Sequence, residues 1–425
     1  MNLEARTYRK VTWRLIPFLF SCYVLAYLDR VNIGFAKLQM LNDLKLSDTV
    51  YGLGAGIFFL GYFFFEAPSN IILSKIGART WIARIMVSWG IISSCMMFVS
   101  SASSFYILRL LLGIAEAGFF PGIILYLTYW YPAHRRARIV ALFMSAVALS
   151  GVVGGPLSGW IMQSLTGYHG LTGWQWLFVI EGLPSIIMGI AVYLYLDDSI
   201  QAANWLSTEE KHLLEQGIRH DTAHKYDLPL LAVLKDFKIW ALSLTYFTFT
   251  MGLYGVGFWL PQLIKNTGIK DVLNVGLLTA IPYGVAAITM ISMARSSDRS
   301  GERRRHIASA AIAGSIGLMA STLFGQNTAI AIAALTLATA GILSTFPLFW
   351  TLPTAYLTGT AAAAGIAIIN SVGNLAGFVS PYMMGAIKDA THNTTLGMYV
   401  LAASLLVGAA LTLLGHPTIK PNTTH

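Results

Sequence analysis

The sequence is poor in charge and in cysteine. Only 11% of its 425 residues are charged and 56% are hydrophobic, whereas a typical soluble domain is about 25% charged. So few charged groups cannot cover the apolar surface that a soluble fold of this composition would expose, and the same hydrophobicity excludes a disordered chain. The two cysteines, Cys22 and Cys95, lie in long apolar segments, which excludes a secreted scaffold held together by disulfides. A polytopic membrane protein remains.

Apolar segments of about 20 residues, the length that crosses a bilayer as a helix, recur twelve times along the chain. They do not alternate every second residue over about ten residues, as the strands of a membrane barrel do. We therefore predict an all-α membrane protein with twelve transmembrane helices in two six-helix bundles, at residues 14–34, 50–73, 82–100, 104–131, 138–165, 174–196, 239–264, 272–294, 306–324, 328–350, 357–387 and 394–414. An even number of helices places both termini on the same side.

One polar interval, 197–238, divides the predicted helices six and six. The prediction is therefore an N-terminal bundle over 1–196, a linker, and a C-terminal bundle over 239–425. Inside the linker, Ser207-Thr208-Glu209-Glu210 is a capping-box pattern, which predicts the start of a short amphipathic helix.

The 28 lysine and arginine residues are distributed unevenly between the predicted loops. Twenty-one lie on the side of the termini, five (Lys37 among them) lie on the opposite side, and Arg30 and Arg109 lie inside predicted helices. This asymmetry follows the positive-inside rule and predicts cytoplasmic termini. The net charge of +9 therefore reports topology, and we expect no nucleic-acid partner.

The two halves carry a weak repeat at the loop after their second helix. Ser74-Lys75-Ile76-Gly77-Ala78-Arg79 stands in the first half and Asp298-Arg299-Ser300-Gly301-Glu302-Arg303 in the second. Two six-helix halves related by a repeat are typical of secondary transporters. The second copy resembles the loop signature of the major facilitator superfamily, and this resemblance implies that both copies gate one side of the protein through contacts between the halves. The residues concerned are Lys75, Gly77, Arg79, Asp298, Arg299, Gly301 and Arg303. The first copy has Ser74 where an acid is usual, so a contact there must be weaker or differently made.

Several further motifs resemble the anion:cation symporter (phthalate permease) family. They include Tyr27-x-Asp29-Arg30-x-Asn32, Arg109-x3-Gly113-x2-Glu116, Trp174-x-Trp176-Leu177-Phe178-x2-Glu181-Gly182, Phe349-Trp350-x2-Pro353 and Ile369-Asn370-Ser371-x-Gly373-Asn374. Bacterial members of that family carry tartrate, sugar acids such as rhamnonate, and aromatic acids such as 4-hydroxyphenylacetate. The resemblance implies proton-coupled import of a small organic anion across the bacterial inner membrane. It also implies that Asp29 and Glu116 carry protons and that Arg30 lies near the substrate.

Independently of any family, an ionisable residue inside a membrane helix is a candidate for function. Those predicted here are Asp29, Arg30, Glu66, Arg109, Glu116 and Glu181. Arg109 and Glu116 share one helical face. Arg109 is predicted to hold a substrate carboxylate in a forked pair that lysine cannot form. Glu116, balanced between burial and a nearby arginine, is predicted to exchange a proton. A structural ion pair is the alternative.

Asp29 and Arg30 are adjacent, so their side chains project about 100° apart. We predict that Tyr27 and Arg30 face the central cavity and bind the anion, while Asp29 faces a neighbouring helix, toward the fourth. The alternative is that Asp29 and Arg30 cap the outer end of the first helix at the lipid interface.

The remaining polar positions are assigned less directly. Glu66 and Glu181 are expected to be structural, with Glu66 paired to an arginine of the adjacent loop. Asn370 and Asn374 either bind the substrate or hold helices together, since amides in a bilayer need partners. Trp350 is predicted to line the cavity from the second half. The fifth helix is glycine-rich and is predicted to be a packing face and pivot.

The sequence shows no phosphate-binding loop, nucleophile elbow or Cys/His metal spacing. We therefore expect a carrier rather than an enzyme, without cofactor or metal, monomeric, and driven by an ion gradient. A carrier of another substrate class such as a drug antiporter, a transporter-like sensor and a membrane enzyme are the alternatives. Which organic anion is carried cannot be read from these residues.

Overall fold

A computed structural model describes residues 3–222, 235–356 and 359–414. Within these residues, twelve helical segments are long and apolar enough to cross a membrane. We number them spans 1 to 12: Leu3–Leu44, Asp48–Ile76, Ala78–Phe98, Ala102–Thr128, Leu142–Ser164, Gly173–Tyr195, Phe237–Lys265, Val272–Ser300, Arg303–Leu323, Thr328–Pro353, Gly365–Thr391 and Thr395–Leu414. The predicted twelve-helix fold is confirmed.

Some spans are built from more than one helix. Span 1 joins Leu3–Val31 to Ile33–Leu44, and span 4 joins Ala102–Glu116 to Phe119–Thr128. The other composite or extended elements are Ala78–Cys95 followed by the 3₁₀ turn Met96–Phe98, Ala133–Met144 followed by Ala146–Ser164, Thr328–Phe349 followed by Thr351–Tyr356, and Gly359–Thr391. A 3₁₀ turn at Tyr168–Gly170 and the helix Thr208–Thr222 lie outside the spans.

Span 1 differs most from its predicted limits, 14–34. Its helices extend from Leu3 to Leu44 because polar residues that hydropathy assigns to loops continue the helix beyond the apolar segment. Arg6 and Arg9 are exposed at one end, whereas Lys37 at the other end is only 2% exposed. The prediction that Lys37 lies in a loop is therefore wrong.

Because the spans alternate in direction, their ends form two sides, which we name by the connections they carry. The terminus side carries residue 3, the turns at Gly77 and Gly301, and the segment that follows span 6. The hairpin side carries the connections at 45–47, 99–101, 266–271, 325–327 and 392–394. The predicted break at Gly325-Gln326-Asn327 is confirmed, and the Asn327 side chain caps the next helix by accepting from Ile330 N at 3.2 Å.

Each half contributes spans that pack directly against the other half. Span 5 meets span 8 through glycines: a Cβ on Gly276 would lie 2.2 Å from the carbonyl oxygen of Gly155, and a Cβ on Gly159 would lie 2.8 Å from that of Val272. Span 2 meets span 11 in the same way, at Gly52 and Gly56. The halves therefore touch backbone to backbone, as small residues allow in membrane helix packing. The pivot role of span 5 stays a prediction.

The segment after span 6 is attached to the first half. Glu210 N donates to Ser207 Oγ at 3.2 Å, while Ser207 N donates to a Glu210 carboxylate oxygen at 2.9 Å, which confirms the predicted capping box. Although partial burial alone would raise the pKa of Glu210, hydrogen bonds from Lys10 and from Ser207 N hold it below its ordinary value. The ion pair of Lys10 with Glu210, at 2.8 Å, ties this helix to the start of span 1.

Candidate functional site

A buried ion pair joins spans 1 and 4. The Arg30 guanidinium of span 1 pairs with the Glu116 carboxylate of span 4, and both side chains are nearly inaccessible to solvent. The other Nη atom of Arg30 donates to the hydroxyl of Tyr254, in span 7, at 3.3 Å. This cluster, Arg30, Glu116 and Tyr254, is hereafter the central triad. It joins the two halves because Tyr254 belongs to the second.

A break in span 4 positions Glu116. Glu116 is the last residue of the helix Ala102–Glu116, and Gly118 two residues later has φ +86°, a left-handed conformation that interrupts the helix. A Cβ at Gly118 would collide with the side chain of Ser69 in span 2. The Ser69 hydroxyl is itself held in place by a hydrogen bond that it accepts from the Trp81 indole, at 2.9 Å. Irregular backbone at membrane depth is tolerated where it is buried in protein or lines a cavity. Glu116 therefore lies at an interrupted helix, the setting in which transporters place binding sites.

Aromatic hydroxyls surround the central triad. Tyr27 is 2% exposed, and its hydroxyl has no hydrogen-bond partner among the described residues. Tyr23 lies edge-on to it, with ring centroids 6.5 Å apart, and the buried Tyr283 of span 8 is close enough to act on it electrostatically. The structure thus brings the predicted site residues Tyr27, Arg30 and Glu116 to one place and adds Tyr254 to them.

Asp29 faces away from this cluster. Its carboxylate accepts from the Trp89 indole at 2.6 Å, from Ser93 at 2.9 Å and from Ser185 at 2.7 Å, which lie in spans 3 and 6. The expectation that it turns toward the fourth helix is wrong, because the rotation of about 100° from Arg30 directs it toward spans 3 and 6. At 2% exposure it is no interfacial cap either. Three donors stabilise a carboxylate without a cation.

Arg109 is fully buried between spans 2 and 4. Its Nε donates to the carbonyl of Gly54 and one Nη to that of Ala55, both at 3.2 Å. These backbone contacts occupy the guanidinium fork that the sequence assigns to a substrate carboxylate. The remaining Nη has no partner among the described residues. In this structure Arg109 holds two helices together, and its predicted role in binding substrate stays a prediction.

Glu66 lies across the interface between the halves. Asn370 of span 11 donates to its carboxylate at 3.0 Å, and its second oxygen has no partner among the described residues. The prediction that Glu66 pairs with an arginine of the adjacent loop is wrong, because the side chain points inward instead. Asn374, one turn along span 11, approaches the same carboxylate. Trp350 lies 4.9 Å from the ring of Tyr246, on the second-half side of this region.

The repeated loops lie on the terminus side, with their glycines in conformations that favour glycine. Gly77 has φ +102° and Gly301 has φ +69°. Asp298 pairs with Arg303 in its own loop. Arg79 donates through its backbone N to Asp198 at 2.8 Å and through its side chain to the carbonyl of Tyr193. Asp198, which follows span 6, is thus the carboxylate that contacts the first loop, through its backbone.

These contacts of the repeated loops all stay within one half, which differs from the implied contacts between halves. Lys75 and Arg299 are exposed. The gating role of the loops therefore stays a prediction.

A charged cluster that the sequence pattern does not predict lies on the hairpin side. Asp48, at the start of span 2, pairs with Lys37 at 2.7 Å and with Lys388 of span 11 at 2.9 Å. Asp389 accepts from the backbone N of Thr49 at 2.7 Å. The Lys37 ammonium lies 3.0 Å from the ring centroid of Trp259 in span 7. Lys37 follows Arg30 by seven residues, two turns of a helix, and this spacing is the sequence signal that places Lys37 in a helix.

Two six-helix halves that meet around buried charged side chains define a membrane transport protein of the secondary-carrier type. The sequence profile of the Major Facilitator Superfamily matches residues 19–381. The chain belongs to this family and is a multi-pass membrane protein.

Individual proteins agree with this assignment. A protein from Agrobacterium vitis named for tartrate transport is 50% identical, over 97% of this chain and 92% of its own length. NicT from Pseudomonas putida, named as a metabolite transport protein, is 48% identical, over 96% of this chain and 93% of its own. A quinolone resistance transporter from Acinetobacter baumannii is 41% identical, over 99% of this chain and 97% of its own length.

A solved structure shows the same fold. It is a bacterial homolog of the human lysosomal transporter Spinster in an inward-facing, occupied conformation, with a TM-score of 0.74 at 18% identity, covering 94% of this chain and 96% of that one. Together these comparisons confirm a transporter rather than an enzyme and the resemblance to anion:cation symporters.

Proposed function

We propose that this protein imports a small organic anion together with protons across a bacterial inner membrane, as a monomer that alternates access between two sides. The observation that carries the proposal is the central triad. Arg30 is a buried cation whose partners come from both halves. The terminus side is the cytoplasmic one, because most basic residues lie there.

The triad couples an anion to a proton through charge balance. An incoming carboxylate competes with Glu116 for Arg30, because arginine binds carboxylates in a forked geometry. A displaced Glu116 carboxylate would be buried without a partner, which is unfavourable unless it takes up a proton. Anion and proton therefore bind together, and the net charge of the site stays constant. Asp29 is the second proton carrier in this proposal.

The side chains around the triad suit an organic acid with further polar groups. The free hydroxyl of Tyr27 and the amide of Asn370 can bind substrate hydroxyls, while Trp350 and Tyr246 can stack on an aromatic acid. The identity of the relatives named for tartrate and metabolite transport supports this substrate class.

A binding screen on the purified protein tests the proposal. We expect tartrate, rhamnonate or 4-hydroxyphenylacetate to raise the thermal unfolding temperature, because a ligand that binds the folded state stabilises it, and uncharged sugars of similar size to leave it unchanged. The acid that binds should then enter proteoliposomes against its gradient when the outside is acidic. Stabilisation by a quinolone with no effect of any simple acid would instead favour a drug exporter and overturn the proposal.

Alternating access requires that the hairpin-side cluster opens. Asp48→Asn is expected to increase the fraction of molecules open on that side by about tenfold, because it removes the ion pair with Lys388 of the second half. A tenfold change corresponds to about 1.4 kcal/mol. The measurement is the labelling rate of Val31→Cys by a membrane-impermeant thiol reagent, in a chain whose Cys22 and Cys95 are replaced by alanine.

Asp43→Asn is the matched control for this measurement. Asp43 lies near the same side but accepts from Trp174 of its own half, at 2.8 Å, so its loss should leave the labelling rate unchanged. Equal rates in the Asp48→Asn and parent chains would show that the cluster does not hold the hairpin side closed.

A further inference from the structure

A second buried carboxyl, Glu181 of span 6, lies apart from the central triad. It is 3% exposed, and one of its oxygens accepts from Ser158 of span 5 at 2.7 Å. Its other oxygen has no hydrogen-bond partner among the described residues. No lysine or arginine pairs with it in that part of the chain, so an ionised Glu181 would be a buried charge without a compensating cation, which is strongly unfavourable.

Asn32 completes the surroundings of this carboxyl. It is 1% exposed, and neither atom of its amide group has a partner among the described residues. Asn32 approaches the Glu181 carboxyl and, with Ser158, lines a cavity of about 20 Å³ between spans 1, 5, 7 and 8. A cavity of that size admits about one water molecule, and it lies at the contact between the halves.

We propose that Glu181, Asn32 and Ser158 form a proton-binding site separate from Glu116. In the protonated state, the Glu181 carboxyl donates to the amide oxygen of Asn32. In the ionised state, the Asn32 amide rotates and donates its NH₂ to the carboxylate, since an amide carries both a donor and an acceptor. The proton passes between Glu181 and water at the half interface, and no other bond is made or broken.

The groups that face Glu181 favour one proton shared between its carboxyl and that of a neighbouring acid. Asp29 of span 1 is the titratable neighbour that acts on it, and the Asp29 carboxyl accepts hydrogen bonds from three neutral donors, Trp89, Ser93 and Ser185. Span 5 presents the hydroxyls of Ser158 and Ser150, and span 8 presents Tyr283 across the cavity. Because like charges repel, the two carboxyls will not both ionise readily. A proton on Glu181 therefore responds to the state of Asp29, which lies three residues before Asn32 in span 1.

Infrared difference spectroscopy of the purified full-length protein tests the site directly. On titration from acidic to mildly alkaline pH, the wild-type protein is expected to show a protonated-carboxyl absorption that Glu181→Gln removes and Ser158→Ala shifts in frequency. Glu66→Gln is the matched control, since Glu66 is also buried but bound by Asn370, and it should leave that absorption in place. A Glu181→Gln spectrum that superimposes on the wild-type one at every pH would overturn the proposal.

If Glu181→Gln fails to fold, the Ser158→Ala variant decides alone, because an unmoved absorption would exclude the site. The role of this site in transport rests on the proposed proton coupling. Its detection does not, because the infrared spectrum is recorded without substrate. Absent acid uptake with a Glu181-dependent absorption would overturn the proposed function alone. Proton-driven uptake without that absorption would overturn the Glu181 site alone. If both hold, reversal-potential measurements should give one proton fewer per substrate for Glu181→Gln.

Discussion

Arg30→Lys is expected to abolish organic-acid uptake while the protein still folds. The substitution keeps a buried cation for Glu116, so it does not leave that carboxylate unpaired. It removes the planar fork with which Arg30 contacts Glu116 and Tyr254 together, and a lysine ammonium cannot reproduce that geometry. We expect the apparent affinity for the acid to fall by about 100-fold, which corresponds to roughly 2.8 kcal/mol.

The measurement is the dissociation constant by thermal shift, together with uptake into proteoliposomes at matched protein content. Arg9→Lys, an exposed arginine on the terminus side, serves as the control and should behave like the wild type. An Arg30→Lys protein with normal affinity for the acid would remove Arg30 from the binding site.

Glu116→Gln is expected to separate exchange from accumulation. Glutamine keeps the size of the side chain but cannot gain or lose a proton, so binding of the anion at Arg30 is no longer coupled to uptake of a proton and a pH gradient can no longer drive its accumulation. Arg30 loses its carboxylate partner and becomes more available to an anionic substrate. Exchange of labelled for unlabelled acid should therefore persist, while accumulation driven by an acidic exterior falls to the level of a gradient-free control.

Breaking a buried ion pair destabilises proteins by about 3–5 kcal/mol, so the stability of Glu116→Gln must be measured separately. Bound acid is expected to restore part of the lost unfolding temperature, because its carboxylate replaces the missing partner of Arg30. Accumulation at the wild-type rate would exclude Glu116 as a proton carrier. A Glu116→Gln protein that is stabilised by the acid but does not exchange it would show that the transport cycle needs the proton and not only the charge pair.

Arg109 shows why a shared helical face does not determine a contact. Arg109 and Glu116 lie on one face of span 4, as the spacing predicts, yet the break after Glu116 and the close approach of span 2 divide their roles. A Cβ on Gly113 would lie 2.0 Å from the carbonyl oxygen of Phe58, so spans 2 and 4 pack closely at this point. Arg109 then meets the carbonyls of span 2 rather than the ion pair. That proximity depends on a helix 55 residues away in sequence, about which the periodicity of span 4 carries no information.

Glu66 and Lys37 were misplaced for a related reason. Hydropathy locates the ends of an apolar segment, but it does not predict how deeply a polar side chain is buried, because burial depends on the partners of that side chain. Glu66 turns toward Asn370, and Lys37 is stabilised by Asp48 and the face of Trp259. The partners Asn370 and Trp259 belong to the second half, so the contacts form only when the halves pack together.

The amino-acid sequence alone identifies the membrane class, the twelve spans, the capped linker helix and the small set of charged residues inside the bilayer. It could do so because the hydrocarbon core penalises every unpaired charge, so each buried charge stands out against its apolar surroundings. Which of these charges meet depends on how the spans pack in three dimensions. Neighbouring residues on one helix, such as Asp29 and Arg30, face different spans, and only the packing of spans from both halves assigns Arg30 to Glu116 and Tyr254, Asp29 to spans 3 and 6, and Glu66 to span 11.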